Sequence, residues 1–156
     1  MLTTLIELIF KGGFSDINLD FLSELVLEAK EIRLNAPELS FSDEFDAIVK
    51  IFELNSYVDL VVTTDKLNIA GKIVKDVFIN IGRNNNEIEL LFYFDLKDLN
   101  GSANKSDIDN IKTWANSLQK KYNFIYCICQ MDNAGDEEYY FDSNGIGPLY
   151  KLLSGE

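Results

Sequence analysis

Residues 87–96 alternate without a break. Ile88, Leu90, Phe92, Phe94 and Leu96 form one set; Glu87, Glu89, Leu91, Tyr93 and Asp95 form the other. Successive side chains of a strand point to opposite faces, so a period of two predicts a strand with one apolar face. That apolar set faces a core, and the other faces solvent or a partner. The preceding residues agree. Residues 72–81 read as a strand, and Arg83-Asn84-Asn85-Asn86 is turn chemistry, so 72–96 is expected to be a hairpin. Val58–Thr63 is a further β-branched run.

Around this sheet the other periodicities are helical. Leu2, Leu5, Ile6 and Ile9 fit a 3.6-residue repeat stopped by Gly12–Gly13, with a strand as the alternative for so short a run. A helix is expected over 17–33, with Leu22, Leu25, Val26, Ala29 and Ile32 as its stripe. Pro37 breaks it, Ser42 is the expected N-cap of the next helix, and 45–54 reads as that helix, with a strand as the alternative. After the loop 100–107, Ser106 with Asp109 is the expected cap of a helix whose inward stripe is Ile108, Ile111, Ala115, Leu118 and Tyr122. Residues 124–131 are apolar on both sides and read as a central strand. A turn at 132–136, a strand at 138–142 and a short helix at 148–153 complete the chain.

These elements predict an α+β fold of two layers, with N-terminal helices and one crossover helix packed on a mostly antiparallel sheet. Residues 1–156 read as a single domain, and 47 % hydrophobic residues suffice for one core. The opening MLTTLIELIFKGGF is too short an apolar run to span a membrane. It lacks a basic leader with a cleavage pattern, so the cytoplasm is the expected location. Cys127 and Cys129, two apart on one strand face, are expected to be buried reduced thiols rather than a disulfide.

Charge narrows the chemistry. The formal net charge is −12 and histidine is absent. That removes the commonest general base and metal ligand. Nucleophile motifs and glycine-rich phosphate loops are missing, so no enzyme, metal or cofactor is expected. DNAGDEE at 132–138 lacks the order of a calcium loop. The acids are uneven, with 14–65 and 122–156 strongly negative and 66–121 slightly positive. Direct nucleic-acid contact needs a basic stripe, which the chain lacks.

Between Tyr122 and Tyr150 there is no Lys or Arg, and acids mix with aromatics. Asp132, Asp136, Glu137, Glu138, Tyr139 and Asp142 are therefore the expected partner-binding residues, set against an ordinary solvated hairpin end. The stripe Asp20, Glu24 and Glu28, continued by Glu31, is the second choice.

The chain resembles the immunity proteins of bacterial toxin–immunity pairs, including those of contact-dependent growth inhibition. ELLFYFDLKDL at 89–99 and EEYYFDSNGIGPLYKLL at 137–153 carry the likeness, with the size, acidity and α+β pattern. The resemblance implies a non-enzymatic protein that binds one cognate toxin domain, often a basic nuclease, and blocks its active site or substrate surface. It assigns no role to a residue. The alternatives are a carboxylate-based enzyme or ligand-binding domain, a DNA-mimic inhibitor, and a self-associating adaptor using the Leu91–Tyr93 strand face.

Overall fold

The computed structural model describes residues 4–100 and 104–153. Ten strands are described. Eight form one antiparallel sheet: β1 (Leu5–Gly13), β2 (Glu31–Ala36), β3 (Tyr57–Thr64), β6 (Val77–Asn84), β7 (Glu87–Asp95), β8 (Tyr126–Met131), β9 (Tyr139–Asp142) and β10 (Gly145–Ile146). Their spatial order is β10-β9-β8-β1-β7-β6-β3-β2. β4 (Leu67–Ile69) and β5 (Lys72–Val74) make a separate two-stranded hairpin. The helices are α1 (Phe21–Leu27), α2 (Phe45–Leu54), α3 (Lys97–Asn100) and α4 (Lys105–Lys121), followed by a 3-10 turn at Tyr150–Leu152. This is a mixed α+β fold with helices packed on a large antiparallel sheet.

The β6–β7 hairpin forms as its alternation requires. Ile88, Leu90, Phe92, Phe94 and Leu96 are all buried, and Asn85 turns the chain at φ 54°. The expected strand 72–81 is two strands, however. Ala70 and Gly71, both at positive φ, close the β4–β5 hairpin, and Asp76 at φ 54° redirects the chain into β6.

The first expected helix is the strand β1, inserted between β7 and β8. Leu5, Ile6 and Ile9 suit either period, but Ile6, Leu8 and Phe10 are buried in strict alternation. Hydrogen-bonded neighbours on both sides decide the outcome for such a short run. Leu2 lies outside the described residues.

The helix expected over 17–33 ends at Leu27. The Glu28 N–H bonds back to the Glu24 carbonyl, and the Lys30 N–H then reaches the Thr63 carbonyl, drawing 31–36 onto the sheet edge as β2. Helix α2 covers 45–54 as expected, but its N-cap is Glu44, and Ser42 Oγ accepts from the Glu44 N–H instead. Helix α4 is capped by Asn104, whose Oδ1 accepts from the Asp107 N–H at 2.9 Å, so Ser106 is not the cap. Residues 101–103 of the expected loop lie outside the described residues.

The core lies between the helices and one sheet face. Phe21, Leu22 and Leu25 come from α1, Ile48, Ile51 and Phe52 from α2, and Ile108, Ile111 and Ala115 from α4. Trp114 meets Phe92 and Phe10 edge-on, with centroids 5.5 and 6.5 Å apart. Arg83 ties α2 to the sheet by donating to the carbonyls of Phe52 and Asn55, where helix-end carbonyls lack partners. Strand β8 lies inside the sheet as expected, but it buries only Cys127 and Cys129, both free thiols. Burial pushes both thiols above their ordinary pKa. The expected C-terminal helix is the single 3-10 turn.

Candidate interaction surface

The helices cover one face of the sheet, and no described helix lies on the other. Strand register arranges the open face in ranks. One rank runs Glu31, Thr63, Phe78, Tyr93, Glu7, Gln130, Tyr139 across seven strands. The next runs Arg33, Val61, Asn80, Leu91, Ile9, Ile128, Asp142. A third joins Asp59, Gly82, Glu89, Lys11 and Tyr126. At about 4.8 Å per strand the face is roughly 30 Å wide.

Its polar groups are held in place. Gln130 Nε2 donates to Glu7 Oε1 at 3.0 Å, and Tyr93 Oη donates to Asp132 Oδ2 at 3.3 Å. Partial burial, then the nearby Asp132, Glu7 and Asp95, keep the Tyr93 phenol protonated above its ordinary range. Burial and Asp142 act likewise on Tyr126. For Asp95, burial opposes ionisation. Hydrogen bonds from Thr4 and the Lys97 N–H outweigh it and lower the pKa.

The expected acidic cluster divides between this face and its rim. Asp132 follows β8, and Tyr139 and Asp142 stand on β9 opposite Gln130 and Ile128. The irregularity beside Tyr140 allows this: Tyr140 and Phe141 are both buried, although adjacent in sequence. Asp136 and Glu137 are exposed on the connection before β9. Glu138 closes that connection, its Oε1 accepting from the Gly135 N–H at 2.8 Å. Gly147 passes so close to Tyr139 that a Cβ there would stand 2.5 Å from its ring, so only glycine lets the chain pack against Tyr139.

The second-choice stripe lies on the helical side. Asp20 is the N-cap of α1, and Glu24 and Glu28 are exposed beside a cleft of about 700 Å³ floored by Leu90 and Phe92. Lys66 and Lys121 also line this cleft. Glu31 does not continue the stripe. It lies on β2, 3.7 Å from Arg33.

Sequence reasoning missed Glu7, Ile9 and Lys11 as surface residues because β1 was expected to be a helix. The alternation of Ile6, Leu8 and Phe10 was the available signal. Among the described residues no group of three His, Cys, Asp or Glu side chains is placed to hold a metal ion. No described helix is long and apolar enough to cross a membrane.

A chain in the crystal structure of the toxic C-terminal tip of CdiA from Pseudomonas aeruginosa in complex with its immune protein has a similar fold. The TM-score is 0.69 at 17 % identity, over 95 % of this chain and 99 % of that chain. No curated protein matches. The family described as PABL017 Cdi1I immunity protein matches residues 2–145. Matched over nearly its whole length, this acidic α+β chain belongs to the PABL017 Cdi1I immunity protein family.

Proposed function

We propose that this immunity protein acts in the cytoplasm, binding and neutralising one cognate toxin domain through a basic surface of that toxin. Its action is binding, not catalysis. The observation that carries this reading beyond family membership is the grouping of Asp132, Tyr139 and Asp142 on one sheet face, with Asp136, Glu137 and Glu138 at its rim. A domain that handles a polyanion presents cations, and carboxylates can take the place of phosphates against them. Aromatic side chains among the acids supply buried area at low entropic cost.

The test is co-expression with the product of the adjacent gene. Tight co-purification and loss of that product's toxicity are the expected results. A neighbour that is harmless alone and ignores this chain would overturn the reading.

A further inference from the structure

We infer that the toxin seats on the open sheet face itself, with Leu91, Ile9 and Ile128 as the apolar centre of the interface and the acidic hairpin as its edge. The inference rests on the function proposed above and specifies where and how binding occurs. These three residues stand side by side on β7, β1 and β8. They are only partly buried, and no described helix packs over them. Contiguous apolar side chains left uncovered on a rigid sheet mark an interaction site more often than scattered ones do.

The surrounding charge names the occupant. Glu7, Glu89, Asp95 and Asp142, with Asp132 just after β8, frame the centre, whereas Lys11 is the one Lys or Arg on β1, β7, β8 and β9. A second copy placed face to face would set carboxylates against carboxylates, which is unfavourable. A protein surface with an apolar knob ringed by Lys and Arg meets both the centre and the frame. Tyr93, Tyr126 and Tyr139 lie between the two, the arrangement expected of residues that contribute most to affinity. The face, roughly 30 Å wide at the strand spacing of a sheet, approaches the roughly 800 Å² per partner of a stable complex. The helical-side cleft has no such bias, since Glu24 and Glu28 are matched by Lys66 and Lys121.

The experiment measures affinity of the intact chain for the co-purified toxin domain. Leu91→Arg and Ile128→Arg are each expected to weaken binding by about 100-fold or more, since either puts a cation and a clash at the interface centre. Leu27→Arg, on the helical side where Leu27 is 79 % exposed, is expected to bind within about 2-fold of wild type. Hydroxyl-radical footprinting of the wild-type complex needs no variant, and is expected to protect Tyr93 and Tyr126 but not Leu27. Failure of the wild-type chain to bind the toxin overturns the function proposed above, and this inference with it. Wild-type binding that survives both arginine substitutions, or protection confined to Leu27, overturns the inference alone. A wild-type dimer that Leu91→Arg dissociates would also overturn it, assigning the face to self-association.

Discussion

The two faces of the sheet are built from alternate residues of the same strands yet differ in what covers them. On β1, Ile6, Leu8 and Phe10 are fully buried, while Glu7, Ile9 and Lys11, alternating with them, stand on the open side. On β7, Phe92 meets Trp114 in the core, and its neighbours Leu91 and Tyr93 face outward. Stability and the proposed recognition are thus separated by one residue in sequence and by the thickness of a sheet in space. Substitutions on adjacent positions should therefore have unlike consequences.

The largest effect tests this directly. Phe92→Ala removes a buried ring in contact with Phe10 and Trp114, and is expected to cost about 3–5 kcal/mol in denaturant unfolding. Leu91→Ala should cost under about 1 kcal/mol and act on toxin affinity instead. Equal destabilisation by the two would break the separation of faces. Next, reversing the rim charges (Asp136→Lys with Glu137→Lys) should slow association about tenfold and flatten its salt dependence, leaving the unfolding midpoint unchanged. Wild-type association rates at low and high salt would remove the hairpin from the interface.

Smaller effects sharpen the covered side. Asn104→Ala should cost about 1 kcal/mol through loss of the α4 cap, and Ser106→Ala much less. The opposite order in thermal melts would restore the cap expected from sequence. Alkaline pH should produce the mildest trend. Burial raises the pKa of Cys127, Cys129 and Tyr140, and burial with neighbouring acids raises Tyr93 and Tyr126. Between the ordinary and raised values the unfolded chain has lost protons that the folded chain keeps, so stability falls as pH rises. The contribution is full below about pH 7.5, a unit under the ordinary thiol pKa of about 8.5, and declines above it. A melting temperature that rises from pH 8.5 to 10.5 would contradict this.

Much of the fold was legible because particular segments carry a strong period. The 87–96 alternation and the stripe Ile108, Ile111, Ala115 each match a buried face. Helix α2 matches the preferred reading of 45–54, a run whose pattern also allowed a strand. Helix α1 was overextended because Ala29 and Ile32 continue its stripe by coincidence, while the chain has already turned to pair with β3. The acidic hairpin was visible as composition. Its junction with Glu7, Ile9 and Ile128 was not, because those residues meet only when β1 inserts between β7 and β8.

By itself, the sequence determined the class of the protein. Its alternating strands require a sheet with one apolar face, its amphipathic helices cover that face, and its unbalanced acids suit a cationic partner. These properties depend on local spacing and residue type. Only the tertiary structure decided which strands are neighbours, that β1 is a strand, and that acids from β1, β7, β9 and the turn after β8 surround one apolar centre. Pairing between distant segments depends on the whole set of competing partners, and no short window of sequence contains that set.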